Sequence, residues 1–479
     1  MPYAPYAPTR PRLHFTPLEG WLNDPNGLVF LDGEYHLFYQ HYPHALVWGP
    51  MHWGHAVSCD LVHWEHLPIA LSPDELGTIY SGSAVVDGAN SAGFGDGALV
   101  AIFTHHRPGD EVQSLAFSTD KGRTWALDAA NPVLVPPTPL ADFRDPRVLW
   151  FEGPGGGHWV MALAAGQEIR FYTSPDLRRW SWASSFGAGH GSHAGTWECP
   201  ELLFLPVDGG PEHRWVLAVS VTRGAPAGSS GLQYFVGDFD GERFSSSEPP
   251  ATVRWADAGA DFYAAQAWQH APGGRKIWLA WMNNWAYARE TPASTWRGMM
   301  SVPRELALTR DAAGLHLVQR LPAELTATWP TPRRLGGLIV APGVRPLAEP
   351  GGETLLIEAT LGLDDSTARR LGLHVCAGPD GAVTVGYDQT AGTLFVECPQ
   401  RWRPMAPEAL AQQVPLRPEE GLLRLQVLVD TASVEVFAGD GRVVLTNQVF
   451  PHPGHGGLAL FAEGGNAAFP DIAVWVPGA

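Results

Sequence analysis

Three carboxylates in this sequence share one kind of setting. Asp24 stands in "WLNDPNG", Asp145 in "FRDP" and Glu198 in "WECP". Each is followed within two residues by a proline: Pro25, Pro146 and Pro200. Asn, Asp, Pro and Gly are the usual residues of surface turns, so a turn is the ordinary reading of one such stretch. Proline cannot donate to a β-ladder, however, and within sheets it is confined to edges, strand starts and bulges. Three acids on open strand edges that met in one cavity could cleave a glycosidic bond. One carboxylate attacks or stabilises the cationic sugar carbon, and another protonates the departing oxygen. Their surroundings must then push their pKa values apart.

Such convergence needs a repeated scaffold, and the sequence carries one. "SCDLVHW", "STDKGRTW", "SPDLRRW" and the looser "VGDFDGERF" place Asp60, Asp120, Asp176 and Asp238 at intervals of 56 to 62 residues. Each is a polar turn followed by an aromatic, the join expected between two outer strands. A four-stranded antiparallel sheet with its loops fits that interval, as a long version of a propeller blade. A strand-rich segment at 261–306 supplies a fifth. Asp24, Asp145 and Glu198 lie 31 to 40 residues ahead of their blades' turns, on or near a first strand. First strands line a propeller's central channel, so acids from blades 1, 3 and 4 would face one cavity.

Other patterns support an all-β chain. "LVFLDGEYHLFYQ" (28–40) reads as a hairpin about Asp32-Gly33. The stretch 423–450 alternates with period two about Asp440-Gly441. After residue 320 the repeat stops, and the remainder reads as a β-sandwich. The expected organisation is a five-bladed propeller over 1–325, a linker over 326–337 and a sandwich over 338–479. The Pro-rich start, "MPYAPYAPTRPRLHF", reads as a flexible lead-in.

With 31 basic and 49 acidic residues the formal charge is −18. That argues against nucleic-acid or anionic-membrane partners, which require basic patches. Four cysteines are too few for a disulfide framework, and no secretory leader is visible. A cytoplasmic protein is the expectation, or a secreted one if a leader precedes this sequence. Seven of the 19 histidines fall between 36 and 66. The pairs His41/His44, His52/His55 and His63/His66 have a spacing that points to opposite faces of a strand, unsuited to shared chelation. No metal or cofactor is expected. Most of the 20 tryptophans read as core; Trp21, Trp48, Trp53, Trp197, Trp281 and Trp285 lie near the acids and could offer flat faces to a sugar. Cys199, beside Glu198, reads as a buried inert thiol.

"WLNDPNG", "YSGSAV" (80–85), "FRDP" and "ECP" occur in the order seen in glycoside hydrolase family 32, which the chain resembles over nearly its whole length. "DFYAAQ" (261–266), "WMNNW" (281–285) and "WRGMMSVPREL" (296–306) resemble its exo-inulinase and levanase members most. "SVEVFAGDGRVVLTNQVFP" (433–451) resembles the family's sandwich module. A second "ECP", Glu397 to Pro399, falls in the sandwich and reads as a strand end. The resemblance implies a five-bladed propeller with a sandwich and hydrolysis with retention through a fructosyl-enzyme. It implies Asp24 as nucleophile, Glu198 as acid/base and Asp145 as transition-state stabiliser, with Arg144 adding fixed positive charge. Asn23, Gln40, Trp48, Ser81, Tyr263 and Trp285 would line the fructose subsite, with Asp261 a weaker candidate. The implied substrate is sucrose, inulin, levan or a short fructo-oligosaccharide. Two alternatives stay open: a fructosyltransferase with the same three acids, and a sugar-binding propeller without catalysis. Oligomeric state is not legible.

Overall fold

Asp32 and Gly33 close the first hairpin, with Leu31 paired to Glu34 across them. Both take positive φ, 50° and 91°, as a two-residue turn whose twist matches its strands requires. In the computed structural model, which describes residues 9–477 apart from 138, 139, 154, 328, 349, 350, 404, 407 and 408, this hairpin grows into a four-strand meander. Its strands are Gly20–Leu31, Glu34–Tyr42, His52–Ser58 and Glu65–Leu71. Four further antiparallel sheets follow, with first strands Thr78–Asp87, Phe143–Gly153, Trp197–Pro206 and Tyr263–Ala267. These are the blades of a five-bladed propeller. Its five first strands pack side by side in a ring, with Gly20–Leu31 touching both Thr78–Asp87 and Tyr263–Ala267. The ring is fastened by Trp296–Arg297, which pairs in parallel with Gly20 and Trp21.

Two of the three Ser-x-Asp turns share one geometry, and in the third Asp120 accepts the N–H of Thr124 instead. Asp60 accepts the backbone N–H groups of Val62 and His63, and Asp176 those of Arg178 and Arg179. The next residue, Leu61, Lys121 or Leu177, takes positive φ near 60°. In the fourth blade Asp240 makes these bonds, to Glu242 and Arg243, with Gly241 next at positive φ. Asp238 instead lies within the strand Gly231–Phe239. The repeat is real, and its fourth copy is displaced by two residues from the position read in the sequence. The offset from Asp240 to Phe244 then equals that from Asp60 to Trp64.

The C-terminal region is a sandwich of two six-stranded sheets. Leu355, Ile357, Val427 and Val436 of one sheet pack with Leu371, Leu373, Val385 and Val396 of the other. Its first strand is Arg333–Val340, paired with Ala467–Trp475. The expected linker at 326–337 is therefore too long. Arg333 to Gly336 pair with the sandwich's last strand, which the irregular Pro-rich approach to them conceals. The second "ECP" ends the strand Thr393–Glu397, where Glu397 pairs with Arg370 at 2.6 Å.

The two domains are locked by buried charge. Arg304 of the propeller, fully buried, pairs with Asp257 at 2.9 Å and with Glu435 of the sandwich. His14 lies 2.9 Å from Asp430 and 2.8 Å from Glu435. Burial opposes its charge, yet the two carboxylates raise its pKa to about 9. Residues 1–8 of the expected lead-in lie outside the described residues. Its later part is not loose: Leu13, His14 and Phe15 are buried, and the Leu13 N–H donates to Asp430 at 2.8 Å. Among the described residues no helix is long and apolar enough to cross a membrane.

Candidate active site

Each inner strand breaks register near its start. The steps fall between Leu22 and Pro25, Ile79 and Gly82, Arg144 and Arg147, Glu198 and Glu201, and Tyr263 and Gln266. An extra residue in a ladder bends the strand and re-aims its side chains. Asp145, Cys199 and Ala264 stand at these steps with φ of 64°, 47° and 54°, a conformation that non-glycine residues keep only where surrounding structure imposes it. Through these bulges Asp24, Asp145 and Glu198 face one cavity of about 1080 Å³ at a mouth of the propeller channel. Asn23, Gln40, Trp48, Ser81, Arg144 and Trp285 line it too. Trp21, Trp53, Trp197 and Trp281 are fully buried core residues instead.

The three acids sit in different electrostatic surroundings. Asp24 is buried, and its Oδ2 accepts the Ser81 hydroxyl at 2.8 Å. Desolvation, then the nearby charge of Glu198, raises its pKa to about 6; hydrogen bonds from Ser81 and Asn23 offset part of the shift. Asp145 is buried and likewise raised by desolvation, against the pull of Arg144 and with the push of Glu198 and Asp24. Its Oδ2 accepts the Cys199 N–H at 2.9 Å. Glu198 lies nearer the mouth, with its side chain 17% exposed. Arg144 donates to Glu198 Oε1 at 2.8 Å, and Tyr263 donates to Oε2 at 2.5 Å. Both oxygens are thus fixed in place.

Some expected site residues lie elsewhere, and others went unforeseen. Tyr263 does not line the cavity; it is fully buried and acts on the site through Glu198. Asp261 does not line the cavity either. It is fully buried at the domain interface, where Tyr287 donates to it at 2.6 Å and Arg403 of the sandwich lies 3.1 Å away. A step of two positions, from Asp261 to Tyr263, separates an interface contact from a site contact, which one chain's sequence does not reveal. Cys199 is buried as expected, but its Sγ lies 3.5 Å from both Asp24 and Asp145. Burial, then the nearby charges of Asp145 and Asp24, hold the thiol well above its ordinary pKa.

The cavity rim adds Glu111 and Asp142, which hold Arg144 at 3.0 and 2.7 Å. Tyr80 stacks on His106, their centroids 4.2 Å apart, and Trp48 meets Tyr80 edge to face. Of these, only Tyr80 belonged to a motif; Glu111 and His106 come from the outer hairpin of blade 2 and carry no local signal. Among the described residues no group of three or more His, Cys, Asp or Glu is placed to hold a metal ion.

Residues 14–320 match the model of the glycosyl hydrolases family 32 N-terminal domain, and residues 337–476 that of the family 32 C terminal. The chain belongs to glycosyl hydrolase family 32. It is 47% identical to the levanase of Bacillus subtilis over 475 residues, 97% of this chain and 70% of the levanase. The crystal structure of exo-inulinase from Aspergillus awamori superposes with a TM-score of 0.91 at 32% identity, covering 100% of both chains. The β-fructofuranosidase of Schwanniomyces occidentalis, solved with fructosyl-erythritol, gives 0.88 at 28% identity over 98% of this chain and 97% of that one. As a family 32 enzyme the chain is a glycoside hydrolase acting on β-fructosides.

Proposed function

We propose that this family 32 chain is an exo-acting β-fructofuranosidase. It releases fructose from the non-reducing ends of levan and inulin, and from sucrose, with retention. The observation that carries the reading is the convergence of Asp24, Asp145 and Glu198 on one cavity from three blades. Asp24 attacks the anomeric C2 of the terminal fructosyl unit, and the C2–O bond to the leaving group breaks. Glu198 gives its proton to the departing oxygen. The fructosyl-Asp24 ester is then attacked at C2 by water, whose proton passes to Glu198. Asp145 accepts hydrogen bonds from fructose hydroxyls and so steadies the positive charge that develops at the ring.

The placement suits those roles. Asp24 is buried among groups that disfavour its charge, which a passing oxocarbenium centre would relieve. Glu198 is the more exposed carboxylate, open to a group that enters from the mouth. Retention and the division of roles rest on the family resemblance. The preference for chain ends rests on the levanase and exo-inulinase relatives. The test is incubation with sucrose, inulin and levan separately, with products resolved by chromatography. Fructose as the only early product is expected. Short oligomers would mean internal cleavage, and lengthened chains would mean transfer. Asp24→Ala and Glu198→Ala should each abolish release while keeping the folded far-UV spectrum. Near-normal turnover in either folded variant defeats the assignment.

A further inference from the structure

The inner strands that carry the site at their starts line a second cavity near their other ends. It has a volume of about 580 Å³ and is bordered by Asp87, Glu152, Phe204 and His270, from blades 2, 3, 4 and 5. Two large aromatics stand open here, Trp150 at 41% and Phe204 at 44% exposure. Neither is a loose surface side chain. Trp150 meets Trp159 edge to face at 5.1 Å, and its ring lies over Gly157, where an added Cβ would come within 2.2 Å of it. Phe204 packs on Trp215 at 5.0 Å.

Polar groups flank these rings. Asp87 is occupied by the backbone N–H groups of Ser91 and Ala92, and Arg147 is paired with Glu201 at 2.9 Å. Besides the His270 imidazole, Lys276 and Glu152 remain. Among the described residues neither side chain makes an ion pair or a hydrogen bond, although Lys276 is half-buried and burial lowers its pKa. Glu152 stands beside the Trp150 ring: its Oε2 is 2.6 Å from the same Cβ position on Gly157.

We infer that this second mouth is a saccharide-binding site, distinct from the catalytic pocket, that holds a segment of the polymer. Fixed aromatic faces suit the apolar faces of sugar rings. A carboxylate and an ammonium lining one cavity suit a neutral ligand whose hydroxyls both donate and accept. One cation and one anion give no net preference for a charged ligand, and the −18 charge of the chain disfavours polyanions. The polymer is a fructan, a point that rests on the function proposed above. Inner strands of about ten residues separate the two mouths by only about 30 Å. A chain held at one mouth therefore raises the concentration of chain ends at the other.

The test uses the full chain with Trp150→Ala and, for changes that leave strand pairing untouched, Glu152→Gln and Lys276→Met. Kinetics are compared on sucrose and on long-chain levan and inulin. The polymer KM should rise about fivefold or more in each variant, with kcat and all sucrose constants unchanged. In native gels cast with levan, an Asp24→Ala chain should be retarded more than the same chain carrying Trp150→Ala as well. Unchanged polymer KM and retardation in the folded variants overturn the inference. So does a parallel rise in sucrose KM, which would place the effect in the catalytic pocket. If the unsubstituted chain releases fructose from no fructoside, the functional reading fails, and retardation across a panel of polysaccharides still decides the second site.

Discussion

The Arg403 guanidinium lies 3.1 Å from the Asp261 carboxylate, and neither side chain is exposed. Arg403 belongs to the sandwich and Asp261 to the propeller. The hydroxyl of Tyr287 joins them, donating to Asp261 at 2.6 Å and accepting from Arg403 at 2.6 Å. Both propeller residues are two positions from site residues: Asp261 precedes Tyr263, which holds Glu198, and Tyr287 follows Trp285, which lines the cavity. The sandwich thus braces the wall of the cavity that holds the three acids without entering it.

Breaking that brace from one side should be costly, because it leaves a buried charge without its partner. Asp261→Asn and Arg403→Met are each expected to lower unfolding free energy by about 3 kcal/mol. The double variant should lose less than the two together, since it leaves no orphaned charge. Urea unfolding of the three variants measures the coupling. Strict additivity would show that the pair contributes nothing as a pair.

What the sequence made legible follows from how local each signal is. The Asp32-Gly33 turn, the blade turns and the acids ahead of their prolines are set by neighbours in the chain, and all could be read from residue type and spacing. Asp261, Tyr263 and Glu111 could not be placed so. Whether each faces the cavity, a carboxylate or the other domain depends on bulges and on side chains 26 or more residues away. The same holds for Asp240, whose turn role is visible only once the strand Gly231–Phe239 is seen to include Asp238. Trp150 read as one more core tryptophan, and only its place at the channel's far mouth distinguishes it.

Asp24 should trade stability for function. Its folded pKa of about 6 lies above the ordinary 3.8. The folded state therefore holds this proton more tightly than the unfolded chain does. The stability this gives is fully present below about 4 and is lost as pH rises through about 6. Asp24→Asn carries no charge to bury, so at pH 7 to 8 it should be the more stable protein, by about 2 kcal/mol. The advantage should shrink as pH falls below 6 and vanish near 4. Fructose release by the unsubstituted chain should fall with an acidic limb near pH 6, where Asp24 takes up its proton. Thermal melts across pH 4 to 8 check the first statement and kcat/KM profiles the second; a gap between the melts that is independent of pH contradicts the electrostatic account.

His14 predicts an alkaline loss. Its pKa of about 9 exceeds the ordinary 6.5 because Asp430 and Glu435 outweigh the cost of burial. Its stabilising contribution is complete below about 6.5 and disappears as pH rises through 9. His14→Gln should therefore be less stable than the parent at pH 6, and the two should converge above pH 9. Melting temperatures of both proteins from pH 6 to 10 give the comparison, and a constant difference would remove His14 from the account.

Arg144 ties Glu198, Glu111 and Asp142 together through one planar fork. Lysine keeps the charge but offers a single ammonium on a flexible stem, so it cannot hold three carboxylates in that geometry. Arg144→Lys should lower kcat/KM on sucrose by about 100-fold. Thermal stability should change less than activity, since the lysine ammonium keeps a positive charge among the three carboxylates. A lysine variant of near-normal kcat/KM would mean that charge alone suffices there.

The first fructose released should keep the anomeric configuration it had in the substrate. If Asp24 forms a bond to C2 from the face opposite the leaving oxygen, C2 inverts once on ester formation and once on hydrolysis, and the two inversions cancel. Water acting directly would invert it only once. Fructose re-equilibrates in solution, so the anomer must be read by NMR in the first moments of reaction at high enzyme concentration. Added methanol gives a more durable record, because it competes with water for the fructosyl-Asp24 ester and traps the configuration as a methyl fructoside. That product should be the β-anomer. An α-anomer would exclude an Asp24-bound intermediate and leave Asp24 as a base for water.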